Sequence, residues 1–280
     1  MTNVVPPAIP SGFARRRNGI VGALTLLTVV YCIVYIFLKD STMFLAAPQF
    51  CRDDKACTRP DLFGFQVASA IMMTFMGSTG FLAWHWTRRA HTTIPSNPEG
   101  RLFGYLEEAD KLNAGIFVFQ TWDFLFSLTI PEHCTAIFLA HHFLAGLTSW
   151  FSLEYQFVHH YAIFFGGCSE ISSIFLVFCD FDVYFPATRG SIWGIFILIC
   201  QASFALSFFY YRVLAWFWVS VRLWSDVLYA KKRNLIEQYR PGTGWFLYIF
   251  LVMDVLLGGL QLYWFGFGIL PKIMEILEDK

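Results

Sequence analysis

The chain has 280 residues, of which 56% are hydrophobic and only 14% are charged, and its mean hydropathy is +0.53. These values differ from those of soluble globular domains, so the excess of apolar side chains is expected to face lipid. The 20 Lys and Arg residues balance the 20 Asp and Glu residues, which leaves no electrostatic basis for a nucleic-acid partner.

The chain begins with a tail, residues 1–18, that contains Pro and no acidic residue and carries Arg15-Arg16-Arg17 near its end. The apolar run 19–38 is long enough to cross a bilayer. It is too long for the core of a signal peptide and has no convincing cleavage site, so we expect an uncleaved first span. In the polar loop that follows, Cys51 and Cys57 permit a disulfide only if this loop lies outside the cytosol.

Six further apolar segments follow, separated by polar or Pro-containing loops: 64–86, 113–128, 134–153, 157–178, 191 to about 220, and 244–270. Lipid offers no partner for free backbone groups, and these runs lack the alternation of barrel strands, so each predicts a helix. The sequence therefore predicts an all-α, polytopic membrane protein with about seven transmembrane helices. Lys and Arg are more frequent in the loops on the amino-terminal side, which predicts an inside amino terminus.

Ionisable side chains inside such spans are costly and are candidates for function by default. At the helical rise, His141 and His142 lie roughly 11 Å from the outer end of the fourth span, and Glu170 lies roughly 12 Å from that of the fifth. Asp123 lies roughly 8 Å from the same end of the third span. We therefore predict one polar layer in the membrane, with these four residues as candidate catalytic groups.

The chemistry of this layer has several readings. Adjacent helical residues point about 100° apart, so His141 and His142 are expected to flank a cavity. Imidazole beside carboxylate is a general-base arrangement, and imidazole is also a transient acyl acceptor. The adjacent pair lacks the i, i+4 spacing that directs two imidazoles to one ion, so no metal is predicted. The alternative is structural, because buried His and Glu also form interhelical hydrogen bonds.

A second polar layer is expected toward the inner face. Arg212 in the sixth span and Asp254 in the seventh match in depth when counted from the inner helix ends. They predict a structural ion pair, because an unpaired arginine there is expensive. Gly258 and Gln261 continue the Asp254 face and are candidates to line an interior cavity.

Several of these motifs, in collinear order, resemble the TLC-domain family of ceramide synthases, TRAM-type translocon proteins and TLC-domain-containing lipid-regulating proteins. The resemblance runs from about Phe103 to Ile276. It rests on the aromatic segment ending in Asp at 117–123, Pro131-Glu132 followed by Ala140-His141-His142, the Glu-Ile-Ser segment at 169–173, Phe208-Phe209-Tyr210-Tyr211-Arg212, and Leu262-Tyr263-Trp264-Phe265.

The resemblance implies a six-helix, barrel-like TLC domain at 64–276 with an interior lipid or acyl-chain cavity, preceded by one extra helix and its loop at 19–63. In ceramide synthases the paired histidines pass an acyl group from acyl-CoA to a sphingoid amine. Those enzymes carry a histidine and paired aspartates about where this chain has Ser169, Glu170 and Ser173. The chain is thus more similar to the non-synthase branch, which is linked to membrane phospholipid composition, trafficking or lipid sensing.

The resulting hypothesis is a multi-pass membrane protein of the endoplasmic reticulum or another endomembrane that takes part in lipid homeostasis. Its expected partners are membrane lipids, and no cofactor is expected. The alternative is an N-acyltransferase that uses acyl-CoA as a co-substrate and the His141-His142 pair. A third possibility is a binding protein without chemistry.

Overall fold

The computed structural model describes residues 11–39, 59–184 and 191–278, and every regular element within them is helical. Cys51 and Cys57, with the disulfide considered for them, lie outside the described residues.

The described residues contain seven long helices, and each of the seven predicted spans overlaps one of them. Their bounds are α1, Gly12–Lys39; α2, Pro60–Trp86; α3, Glu107–Ser127; α4, Ala136–Tyr155; α5, His159–Asp182; α6, Ile192–Lys232; and α7, Trp245–Glu275. Helical structure continues beyond α5 to Tyr184 and beyond α7 to Glu278. Short helices at Arg89–Thr92, Pro98–Phe103 and Leu235–Tyr239 connect them.

Six of the long helices are apolar and long enough to cross a membrane, and among the described helices α3 is the long one outside that set. Its 21 residues include Glu107, Glu108 and Asp110 in the first turn. Acidic side chains there suit the positive end of the helix dipole but lower the overall hydropathy. The structure is that of an all-α, polytopic membrane protein, with α1 preceding the other six long helices.

Two predicted boundaries differ in ways that affect the functional site. The third predicted span begins at residue 113, whereas α3 begins at Glu107. The sixth was expected to end near residue 220, but α6 continues to Lys232. Its last turns carry Asp226 and Lys231, which hydropathy alone excludes from a membrane span.

Four of the long helices contain a π-helical segment: Leu82–Trp86, Ile163–Gly167, Phe208–Ala215 and Phe265–Ile269. A π turn holds more residues than an α turn. The side chains that follow it therefore point in a different direction around the helix axis from the one expected at 3.6 residues per turn. Arg212 lies inside one of these segments, and Glu170 follows another through a short 3₁₀ turn. The directions in which the Arg212 and Glu170 side chains point thus depend on irregular helical backbone.

Close backbone contact joins α2 to α5. A Cβ atom on Gly80 would lie 2.2 Å from the carbonyl carbon of Gly167, and one on Gly167 would lie 2.6 Å from Gly80 Cα. Only glycine permits this approach, and small residues are the usual means of close helix packing in membranes. The contact brings the middle of α5, which precedes Glu170, against α2.

The helix α1 is held to the bundle at its amino-terminal end. Arg15 Nη2 and Arg16 Nε each donate to the fully buried Asp110 carboxylate at 2.7 Å. Higher along α1, large apolar side chains such as Val21 and Ile33 are 57% and 61% exposed. Such a surface suits lipid rather than water.

Candidate functional site

A cavity of about 100 Å³ lies between helices α2 to α7. Along α4 it extends from His141 to Ser152, a distance of about 16 Å at the helical rise. Most of its wall is apolar. The charged side chains that line it occur in two places, near Arg212 and near Asp254, and α3 and α4 add the uncharged polar residues Asn113, Gln120, Thr148, Ser149 and Ser152.

The first polar group, the Arg212 cluster, consists of Arg212, Glu170, Ser169, Ser172, Ser173 and Gln261. Arg212 Nη2 donates to Glu170 Oε2 at 3.0 Å and to Ser173 Oγ at 2.8 Å. Its Nη1 donates to Gln261 Oε1 at 2.9 Å, and its Nε donates to the Ser169 carbonyl oxygen and to Ser172 Oγ, each at 2.9 Å. All three guanidinium nitrogens are thus engaged within the protein.

This arrangement corrects the predicted Arg212–Asp254 ion pair. The partner of Arg212 is Glu170, and both side chains are largely buried, with exposures of 7% and 13%. The prediction was wrong because it counted the depth of Arg212 from a helix end near residue 220. Since α6 continues to Lys232, Arg212 lies about 30 Å from the inner end of its helix, in the layer of Glu170.

His141 faces the cavity beside this cluster. Its imidazole lines the cavity, and its Nδ1 atom is buried without a hydrogen-bond partner among the described residues. The ring packs edge to face against Trp264 of α7, with centroids 4.9 Å apart. A buried ring nitrogen without a partner costs free energy unless something else satisfies it. Of the two histidines, His141 is therefore the one placed beside a molecule bound in the cavity.

His142 points away from the cavity toward α3. Its Nδ1 lies 2.5 Å from Gln120 Oε1, and its Nε2 lies 3.4 Å from Asp123 Oδ1. An amide oxygen only accepts, so Nδ1 carries a proton in this arrangement. The contact between Nε2 and Asp123 is then favourable in either of two protonation states. In one, Nε2 also carries a proton and donates it to the carboxylate; in the other, Asp123 is protonated and donates to Nε2. Ser127 Oγ donates to the same oxygen of Asp123 at 2.9 Å.

The predicted layer of four residues is therefore divided in two. His141 and Glu170 line the cavity, whereas His142 and Asp123 form a buried contact on its α3 side. Gln120 belongs to both, because it lines the cavity and contacts His142. The sequence analysis did not select Gln120, although it is a polar residue inside an apolar span and lies three residues before Asp123, on the same helix face.

The second polar group contains Asp254 of α7. Ser220 Oγ donates to Asp254 Oδ1 at 2.7 Å, and Trp224 Nε1 donates to Oδ2 at 3.2 Å. Both donors are neutral and lie one turn apart on α6. Trp216, one turn before Ser220, also lines the cavity. The expected cavity position of Gln261 agrees with the structure, whereas Gly258 packs against Trp216 instead.

Within residues 11–39, 59–184 and 191–278, no group of three or more His, Cys, Asp or Glu side chains is arranged to hold a metal ion. The chemistry available at the cavity is therefore that of one imidazole, one buried ion pair, one further carboxylate and several amide and hydroxyl groups.

Comparison with known families matches residues 28–269 to the TLC domain. Neither a search of curated proteins nor a search of solved structures finds a match to this chain. The matched region covers all of α2 to α6 and therefore most of the helices that surround the cavity. On this match, the chain belongs to the TLC-domain family.

Proposed function

We propose that the protein binds a membrane lipid in its interior cavity and takes part in membrane lipid homeostasis through this binding. The observation that carries the proposal is a mainly apolar cavity inside a membrane bundle, with charged side chains at two places in its wall. Apolar cavities with a few convergent polar groups are the usual form of small-molecule sites. A lipid presents the same combination, because its chain is apolar and its head group is polar.

The hydrophobic wall and the depth of the cavity support this ligand class. Ile116, Phe165, Leu223 and Leu257 contribute apolar surface to it. Each methylene group buried there contributes about 0.8 kcal/mol relative to water. An acyl chain already in the membrane gains less than this, so discrimination between lipids depends on the polar contacts inside the cavity.

Filling the cavity tests the proposal. Ala145 lines the cavity on α4, so Ala145→Leu places three additional carbon atoms in it. Ala202→Leu is the matched control, because Ala202 is an exposed residue in the middle of a helical segment, Ile192–Ser207. Lipids that copurify with the full chain in maltoside micelles are measured by native mass spectrometry.

We expect a retained lipid in wild type and in Ala202→Leu, and a several-fold lower occupancy in Ala145→Leu. Equal occupancy in all three proteins would place the lipid on the outer surface and contradict the proposal. Thermal unfolding of each variant shows whether the substitution has disturbed the fold.

A second candidate function is favoured by the position of His141. A cavity-facing imidazole with an unpartnered nitrogen suits a general base or a transient acyl acceptor. In acyl-CoA-dependent N-acyl transfer, an amine nitrogen attacks the thioester carbonyl carbon. The C–N bond forms, the C–S bond breaks, the imidazole takes the amine proton, and coenzyme A leaves as the thiolate that is then protonated.

Release of free coenzyme A thiol from acyl-CoA, measured with and without a long-chain amine, tests this second function. If it holds, His141→Ala abolishes amine-dependent release, and the amide product is detected by mass spectrometry. No amine-dependent release above background would leave lipid binding without catalysis as the function, and release that is unaffected by the loss of both histidines would contradict their catalytic role.

The location of the protein is part of the same proposal. We expect it in the endoplasmic reticulum or another endomembrane, which a fluorescent fusion compared with organelle markers tests directly.

A further inference from the structure

Asp254 is the one acidic side chain lining the cavity that has no basic partner among the described residues. The charged cavity residues are Glu170, Arg212 and Asp254. Glu170 is neutralised by Arg212 at 3.0 Å. Asp254 is only 8% exposed, and the groups that bind it are a serine hydroxyl and an indole N–H. An ionisable residue inside a membrane domain ordinarily pairs with an opposite charge or marks a ligand pathway.

The hydrogen bonds of Asp254 leave part of its carboxylate available. Ser220 Oγ and Trp224 Nε1 each bind a different oxygen of the carboxylate, which can accept about four hydrogen bonds in all. Neutral donors stabilise the group but do not cancel its charge. Since Asp254 also forms part of the cavity wall, the remaining acceptor capacity is placed where a bound molecule can use it.

Aromatic side chains line the cavity along with Asp254. Trp216 and Phe165 have ring centroids 4.6 Å apart, and Tyr161 and Phe250 are also cavity residues. The faces of such rings attract cations, and they attract them more strongly when water is excluded. This region thus combines a carboxylate and aromatic surface.

The Arg212 cluster disfavours an anionic ligand. Each nitrogen of the guanidinium group already donates within the protein, and one acceptor is the Glu170 carboxylate. Among the described cavity residues, no other Lys or Arg is present to receive a phosphate or a carboxylate. With Glu170 paired to Arg212, an ionised Asp254 carboxylate is the uncompensated charge among the described cavity residues, and it favours a cation over an anion.

We propose that Asp254 binds the ammonium group of a lipid whose chain occupies the apolar part of the cavity. This inference rests on the proposed lipid-binding function and adds to it the charge and chemistry of the head group. A primary ammonium group forms N–H···O bonds to the carboxylate. A quaternary ammonium group lacks N–H donors and relies on the charge and on the aromatic faces. Both share the organic cation that the site recognises.

Four probes with the same chain and different head groups test the inference: dodecylammonium, dodecyltrimethylammonium, dodecanol and dodecanoate. They are titrated against the full chain in maltoside micelles, which carry no ammonium group, and binding is followed by tryptophan fluorescence. Trp216 and Trp224 lie beside Asp254 and serve as reporters. The proteins compared are wild type, Asp254→Asn, Asp254→Glu and Asp180→Asn.

We expect at least one ammonium probe to bind wild type about tenfold or more tightly than dodecanol, since hydrogen bonds to charged groups exceed neutral ones by this order. Dodecanoate should bind more weakly than dodecanol. Asp254→Asn should abolish the preference for ammonium, and Asp254→Glu should keep it. Asp180→Asn is the control, because this carboxylate of α5 binds Gln66 at 2.9 Å and does not line the cavity.

The outcomes separate the two proposals. Equal binding of ammonium and alcohol to wild type, or an ammonium preference that survives Asp254→Asn in a folded protein, overturns this inference and leaves lipid binding intact. Failure of all four probes to bind contradicts the proposed function itself. If dodecylammonium binds more tightly than the trimethyl probe, the ligand is a primary amine. The reverse order identifies a quaternary head group.

Discussion

Replacing Arg212 by methionine tests the buried ion pair in the cavity wall. The substitution keeps an unbranched side chain but removes the cation that binds Glu170 at 3.0 Å, and four other acceptors lose their donor at the same time. Removing one partner of a buried ion pair typically costs about 3–5 kcal/mol, because the other charge remains buried without compensation. We expect Arg212→Met to lower the free energy of unfolding by an amount in this range.

The assay is unfolding of the purified protein in mixed micelles of maltoside and sodium dodecyl sulfate, followed by circular dichroism. Arg222→Met is the matched control, because Arg222 is exposed on the same helix and forms no ion pair among the described residues. Its effect should remain within about 0.5 kcal/mol. Glu170→Gln and the double variant complete a cycle with an expected coupling of about 1–3 kcal/mol.

Two results would refute this reasoning. If Arg212→Met is no more destabilising than Arg222→Met, Arg212 is not buried in a hydrogen-bonded cluster. If the effects of Arg212→Met and Glu170→Gln simply add in the double variant, the two side chains do not interact.

Two further predictions concern packing and pH. Gly80→Ala should destabilise the fold by about 1–3 kcal/mol, because the added Cβ atom would overlap Gly167. Gly22→Ala is the control and should be neutral or slightly stabilising, because no atom lies within 4 Å of its added Cβ atom. Thermal unfolding of both variants checks this prediction. Arg59, just before α2, binds Glu132 in the connection between α3 and α4 and lowers the pKa of that carboxyl from 4.5 to about 2. A folded-state pKa below the unfolded value means that the contact stabilises the fold fully above pH 4.5 and is lost as the pH falls toward 2. The difference in melting temperature between wild type and Glu132→Gln should therefore shrink across that interval, and a difference that persists at pH 2 would contradict the assignment.

For the histidine pair, helical periodicity predicts the relative directions of the two side chains but not their surroundings. An angle of about 100° between neighbours predicts that His141 and His142 face different directions, and the structure agrees. The count does not say which of them meets the cavity. That depends on where α3 and α7 pack around α4, and the contacts with Gln120, Asp123 and Trp264 show the result.

For Arg212, the sequence predicts the kind of partner but not which residue it is. Its cost in a membrane span correctly predicts that it has a buried acidic partner. The choice between Glu170 and Asp254 required the true end of α6 and the rotation added by the π segment Phe208–Ala215. Neither is visible in hydropathy, because polar residues near an interface lengthen a helix without lengthening its apolar run.

The sequence by itself determined the class of this protein, since composition and the length of its apolar runs leave helices in lipid as the consistent solution, and its ordered motifs indicate the TLC family. Only the tertiary structure decided that Glu170 neutralises Arg212, that His141 rather than His142 faces the cavity, and that Asp254 has no basic partner among the described residues. The physical reason is that periodicity is a property of one helix. Pairing and burial arise between helices, where a shift of one turn exchanges one partner for another.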